Sequence, residues 1–85
     1  MRDYKYVAFE GRDGQEYTVM FPILKTHSVV AAQVGDVVLG GGFVATDQKT
    51  GERRGFGMSI SLGVGSRDED SDLLNLPSNR IVGED

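Results

Sequence analysis

The sequence predicts a small α+β domain, with two β-hairpins in one antiparallel four-stranded sheet, a short helix between the hairpins and a short C-terminal helix. Two observations lead to this prediction. The chain has 85 residues, enough for one domain with a small core. Strand-like runs are separated by glycine-containing turns, and two stretches have helix start and stop signals. We place the domain at residues 1–76 and expect a flexible tail at 77–85, where no strong pattern is present.

The first hairpin is predicted to join residues 4–9 to residues 16–21. Both runs are rich in aromatic and β-branched residues, and the second one alternates along its length. Between them, Asp13-Gly14 is suited to the positive φ angles of a tight turn. Pro22 ends the second strand because it lacks the N–H that a strand ladder needs.

A short helix follows within residues 25–34, with Thr26 or Ser28 as its N-cap and Gly35 as its stop. A second hairpin then joins residues 36–46 to a long strand at residues 52–64. Large apolar residues alternate with glycine and serine along this last strand, so one face is predicted to be core and the other nearly bare. The predicted core residues are Phe56, Met58, Ile60, Leu62 and Val64.

The second helix is predicted from a capping box formed by Ser66 and Glu69. Acidic residues fill its first turn, where the helix dipole favours negative charge. Three leucines follow, and the helix should stop near Pro77.

Nine of the twelve glycines lie in residues 35–65, which raises the question of a phosphate-binding loop. No glycine is followed by lysine and then serine or threonine, as a phosphate loop requires. The dinucleotide fingerprint fails as well, because the third glycine required after Gly55 and Gly57 falls on Ile60. The glycines are therefore interpreted as shaping the sheet.

One register makes this interpretation specific. If Thr46 pairs with Glu52, Phe43 lies opposite Gly55 and covers it, and Gly41 lies opposite Gly57. The sheet would then have a dent without side chains, which the short helix, a second subunit or a bound ligand would fill.

Composition and charge argue against several classes of function. The net charge of −4 disfavours general binding to nucleic acid. There is no cysteine, and His27 is the only histidine, so neither a thiolate nor a multi-histidine metal site is available. We interpret His27 as a capping or surface histidine and expect no enzyme activity and no cofactor. Without a signal peptide or a long apolar run, the chain is expected in the cytoplasm, away from membranes.

Two sets of side chains have both a functional and a structural interpretation. Arg53 and Arg54 form an anion-binding corner in one interpretation and solvated turn charges in the other. Tyr4 and Tyr6 are contact anchors if they face outwards and structural residues if they face the core. We expect the tyrosines to be split between these roles.

Several short motifs within residues 17–74 form a recognisable set: Phe21-Pro22, His27-Ser28, Gly42-Phe43-Val44, the run SLGVGSR at 61–67, and Glu69-Asp70. In these motifs the chain resembles small uncharacterised proteins encoded in phage and prophage genomes. The resemblance implies a phage accessory protein made in a bacterial cytoplasm, and it marks His27 and Arg67 as positions to test.

The leading hypothesis is a non-catalytic phage protein that binds a host protein, such as a defence component, and blocks it by occupancy. Its acidic charge suits a basic surface on that partner. Self-association is a further expectation, because the chain has no disulfides to stabilise so small a core. The alternative is an oligomer that binds a small anionic molecule, such as a nucleotide signal, with the glycine dent and Arg53, Arg54 and Arg67. A minor virion or assembly protein is the third hypothesis.

Overall fold

The computed structural model describes residues 4–34 and 37–83, and these form an α+β fold with two short helices, as the sequence predicts. No helix in this part of the chain is long and apolar enough to cross a membrane. The elements in chain order are β1 (Tyr4–Glu10), β2 (Glu16–Pro22), α1 (His27–Val34), β3 (Val37–Thr46), β4 (Arg53–Phe56), β5 (Met58–Ser59), β6 (Val64–Gly65), α2 (Asp68–Leu74) and β7 (Arg80–Ile81).

The main sheet has five strands in the order β4-β3-β1-β2-β7, where four antiparallel strands were predicted. The two predicted hairpins are present, and β1 joins them by pairing with β3. The fifth strand, β7, runs parallel to β2 and makes the sheet mixed. This strand lies in the segment predicted as a flexible tail, and Asn79 beside it accepts a 2.8 Å hydrogen bond from the Thr18 hydroxyl. Residues 84–85 of that predicted tail lie outside the described residues.

The first hairpin closes with a longer turn than the predicted Asp-Gly pair. Gly11 N–H donates to the Gln15 carbonyl at 2.8 Å, which leaves three residues in the loop. Only Gly14 has a positive φ there, of 80°, and Asp13 does not. A three-residue loop with glycine in the left-handed region is a standard hairpin closure.

The two helices begin at different kinds of cap. Thr26 precedes α1 and its hydroxyl accepts from the Val29 N–H at 3.4 Å, in agreement with one of the two predicted caps. The predicted stop at Gly35 lies outside the described residues. The predicted Ser66–Glu69 box is wrong by one residue, because Arg67 is the N-cap of α2. Its N–H donates to Asp70 Oδ2 at 3.0 Å.

Both faces of the central strands are buried, and each face has its own apolar cluster. α2 covers the first face, whose cluster is Tyr6, Ala8, Met20, Val44 and Leu74. α1 covers the second face, whose cluster is Val7, Phe9, Val19, Phe21 and Val30. The acidic helix α2 and the helix α1 therefore lie on opposite sides of the sheet.

The predicted long strand at residues 52–64 is broken at Gly57, which has a φ of 75°. β4 ends at Phe56, and the chain folds back as the small β5–β6 hairpin. The prediction of a core face is therefore wrong for Phe56, Met58 and Ile60, whereas Leu62 packs against the second apolar cluster. Ile60 is 88% exposed and Met58 is 56% exposed, whereas Ser59 is fully buried.

The predicted register is wrong by one residue, and with it the proposed dent. Phe43 pairs with Phe56, and Thr46 with Arg53. The reason is the turn, because Asp47 N–H donates to the Glu52 carbonyl at 2.8 Å and leaves four residues in the loop.

The glycines are therefore covered by other residues than predicted. A Cβ atom at Gly41 would lie 3.4 Å from Val64 Cγ2 and 3.6 Å from Ser59 Cβ. The β5–β6 hairpin, and not α1, occupies this space. Gly55 is covered by the Tyr6 ring, whose Cε1 would lie 2.9 Å from an added Cβ, and not by Phe43.

Candidate binding surface

An apolar groove opens on the α1 side of the sheet, between the start of α1 and the chain that follows β4. Its volume is about 570 Å³. Four of the ten residues that line it are large and apolar, and three of these four are exposed. The groove is lined by Lys5, Thr26, His27, Ser28, Phe43, Phe56, Gly57, Met58, Ile60 and Ser61. We call this surface the apolar groove.

Two phenylalanines form the ridge beside the groove. Phe43 and Phe56 are direct cross-strand partners, and their ring centroids lie 5.8 Å apart. A second depression, of about 350 Å³, lies on the other side of this ridge and is lined in part by Tyr4 and Ile23. Phe56 is 49% exposed, so a ring that belongs to the sheet is also available for contact.

His27 fixes the floor of the groove. It is buried, so it is not a surface histidine, and its Nε2 lies 2.9 Å from the Gly42 carbonyl oxygen. Because a carbonyl oxygen only accepts, Nε2 carries the hydrogen. The ring also meets Phe21 and Phe43 edge-on, with centroids 5.5 and 6.0 Å away. These contacts tie the start of α1 to β3.

Burial lowers the pKa of His27 below its ordinary value of 6.5, and this outweighs the bond to the Gly42 carbonyl, which raises it. The positive charge of Lys5 lowers the pKa further. The imidazole is therefore neutral near pH 7. Since it is neutral and donates to the Gly42 carbonyl, His27 links α1 to β3 and has a structural role.

Of the groove-lining residues in the described part of the chain, only Lys5 is charged. Its Nζ donates to the Lys25 carbonyl at 3.0 Å, which holds the ammonium group at the rim. The ion pairs found among residues 4–34 and 37–83 all involve Arg67. Lys5 thus has no carboxylate partner within the described part of the chain.

Arg67 belongs to a separate network on the α2 side of the sheet. Its guanidinium contacts Asp70 Oδ1, with Nη2 at 2.7 Å, and Glu16 Oε1 at 2.9 Å. Asp70 is fully buried and also accepts a 2.7 Å hydrogen bond from the Tyr6 hydroxyl. Burial and this bond raise the pKa of Tyr6. We call Tyr6, Glu16, Arg67 and Asp70 the Asp70 network; it joins α2 to the sheet.

The structure does not bring the three predicted anion-binding arginines together. Arg53 Nη1 donates to the Leu74 carbonyl at the end of α2, 3.1 Å away. Arg67 lies at the other end of this helix, which has seven residues and is therefore about 10 Å long. Arg54 is adjacent to Arg53 in β4, so its side chain points to the opposite face of the sheet.

The other predicted site residues have varied positions. Phe43, His27 and Gly57 line the apolar groove. Tyr4 is half-buried and Tyr6 is in the core.

Sequence reasoning missed Met58 and Ile60 as surface residues, because their alternation with small residues suggested a core strand. Gly57 between two apolar residues was the available sign of a break in that strand.

The chain matches no known family model, and comparisons with curated proteins and with solved structures find no match either. Within the described ranges, no group of three or more His, Asp or Glu side chains is placed to hold a metal ion. The function is therefore inferred from the geometry of the apolar groove.

Proposed function

We propose that the protein is a non-catalytic binding protein that docks on another protein through its apolar groove. The observation behind this proposal is the exposure of three large apolar side chains in one short segment, Phe56, Met58 and Ile60. Contiguous exposed apolar surface on a small protein is typical of an interaction site. Methionine and phenylalanine are also enriched in the centres of protein interfaces.

The rigidity of the scaffold supports the same proposal. Phe56 is held against Phe43, and Phe43 is held against the buried His27 ring. The turn after Met58 is fixed as well, because Gly63 N–H donates to the Ser59 carbonyl at 3.0 Å. A contact surface that is already ordered loses less conformational entropy when a partner binds.

The nature of the partner is the finer part of the proposal. The resemblance to phage and prophage proteins supports a host protein as the partner and inhibition by occupancy as the outcome. A protein that acts in this way needs a contact surface and no reacting groups. The groove supplies such a surface, and the polar groups of the Asp70 network are used in holding α2.

The experiment compares the wild type with Ile60→Ser and with Leu76→Ser. Ile60 is 88% exposed in the groove, and Leu76 is a 47% exposed apolar residue just after α2, so it is the matched control. Each protein is immobilised, exposed to bacterial lysate and washed. The lysate protein that the wild type retains is then purified, and its affinity for the wild type and for each of the two variants is measured by calorimetry.

We expect the partner to bind the wild type and Leu76→Ser alike and to bind Ile60→Ser at least about ten-fold more weakly, as expected from the loss of one buried aliphatic side chain. Equal affinity for all three proteins would show that the groove is not the contact surface. Native mass spectrometry adds a second criterion. A homodimer that is lost in Ile60→Ser would assign the groove to self-association and contradict a heterologous partner.

A further inference from the structure

We infer that the apolar groove selects a partner segment in which a carboxylate stands next to apolar side chains. This inference rests on the proposed function and names the chemistry of the partner. It departs from the expectation, based on net charge, of a basic surface on the partner. The reason is that the charge at the groove differs in sign from the charge of the whole chain.

The first step is the charge of the groove itself. Among the described residues that line it, Lys5 is the one that carries a charge, and the remaining polar ones are neutral. The whole chain, in contrast, has a net charge of −4. A partner that docks here therefore meets a single positive charge beside an apolar floor.

The second step is the position of the negative charges. The acidic residues Asp68, Glu69 and Asp72 belong to α2, which packs on the face of the sheet opposite to α1. The sheet therefore separates these carboxylates from the groove. None of the described residues that line the groove is acidic.

The third step is the state of the Lys5 ammonium group. Its hydrogen bond to the Lys25 carbonyl uses one of the three donors of the ammonium group and keeps it at the rim. No carboxylate of the described chain neutralises it. The positive charge of Lys5 acts on the interior of the groove, because it helps to lower the pKa of His27. A carboxylate from a partner would complete the coordination of this ammonium group.

Apolar side chains and one carboxylate together fit the groove better than either alone. The groove offers apolar contacts, which do not fix an orientation, through Phe56, Met58 and Ile60. Lys5 adds an ion pair at one side of the groove. Such a pair of contacts fixes the orientation of a bound segment. A strongly acidic partner is disfavoured, because the negative charge of the rest of the chain repels it.

The test uses a blocked octapeptide with two leucines, one phenylalanine and one glutamate, and two counterparts with glutamine or lysine in place of the glutamate. Each peptide is titrated into the full-length protein, and amide shifts are followed by NMR. The variants are Lys5→Gln, which keeps a hydrogen-bond donor, and Lys49→Gln, which removes an exposed lysine from the β3–β4 turn as the matched control.

We expect the glutamate peptide to shift the amides of residues 26–28 and 56–61. We expect it to bind about two- to five-fold more tightly than the glutamine peptide, as is typical of a partly exposed ion pair. Lys5→Gln should remove this preference and Lys49→Gln should keep it. Added salt should weaken the preference as well.

Three results would overturn the inference. Equal affinity for the glutamate and glutamine peptides would show that a carboxylate does not contribute to binding. The apolar groove would then still be a contact surface. Tighter binding of the lysine peptide would indicate a basic partner. No shift of the groove amides with any peptide would also overturn it, whereas the proposed function is judged independently by the loss of the captured partner in Ile60→Ser.

Discussion

Two neighbouring segments of this chain use their side chains in opposite ways. Residues 56–61 place large apolar groups in solvent, and residues 66–75 bury a carboxylate. In the second segment the buried carboxylate has partners, because Asp70 accepts from Arg67 and Tyr6. Ser71 and Asn75, nearer the surface, accept from the outer N–H groups of β4. In the first segment, apolar surface is left without cover.

The difference separates structural residues from contact residues. α2 seals the outer edge of β4 in place of a further strand, which protects this edge from pairing with other chains. It is held on the sheet by the hydrogen bonds of Asp70, Ser71 and Asn75. The apolar groove lacks such internal partners for its exposed side chains, and this is why we assign binding to it.

The largest expected effect is on the Asp70 network. Asp70→Ala leaves Arg67 and the Tyr6 hydroxyl without their buried partner. We expect the free energy of unfolding to fall by about 3 kcal/mol, the lower end for a broken buried ion pair because Arg67 is partly exposed. Urea unfolding followed by circular dichroism measures it. Asp72→Ala, an exposed position of the same helix, is the control, and equal losses in the two variants would contradict a structural role.

The next effect tests why a glycine stands at position 40. A Cβ there would lie 2.5 Å from Asp70 Oδ2 and 3.1 Å from the Gly65 carbonyl oxygen. We expect Gly40→Ala to lower the free energy of unfolding by about 2 kcal/mol, as overpacking does. Gly65→Ala is the control, because its added Cβ has no neighbour closer than 3.8 Å. The same urea unfolding experiment decides, and a Gly40→Ala protein as stable as Gly65→Ala would contradict this explanation.

The sequence predicted those features that depend on short stretches of chain. The two hairpins, the helix capped by Thr26 and the second helix are local, because a turn or a cap is formed by residues close in sequence. The register of the second hairpin was missed by one residue. It depends on whether four or five residues form the turn, and the polar run at 47–51 permits either.

The candidate site was harder to predict, because it depends on contacts between distant parts of the chain. Nothing near Arg67 in sequence indicates that it reaches Glu16 across the sheet. β7 has only two residues, too few for a pattern. The exposure of residues 56–61 was missed because the alternation of apolar and small residues continues through Gly57, where the strand is in fact broken.

A smaller effect concerns His27, which links α1 to β3 beside the groove. Its pKa is lowered in the folded protein by burial, and Lys5 is the charged group that faces it. The unfolded chain therefore binds more protons just below pH 6.5, and the folded protein should lose stability as the pH falls through this value. His27→Gln should remove this part of the pH dependence. Urea unfolding at a series of pH values measures it, and identical pH profiles for both proteins would contradict the assignment.

The smallest effect on stability is expected at the groove itself. Ile60 is 88% exposed and lies in the turn between β5 and β6, so the folded chain gains little from its side chain. We expect Ile60→Ser to change the free energy of unfolding by less than about 0.5 kcal/mol, as for other surface substitutions. Urea unfolding of Ile60→Ser, with Asp70→Ala measured in the same experiment, gives this change in free energy. A loss of about 2 kcal/mol would show that Ile60 supports the fold, and the contrast between the two segments would fail. If Ile60→Ser is as stable as the wild type but no longer binds the partner, the exposed apolar side chains of this segment serve contact rather than stability.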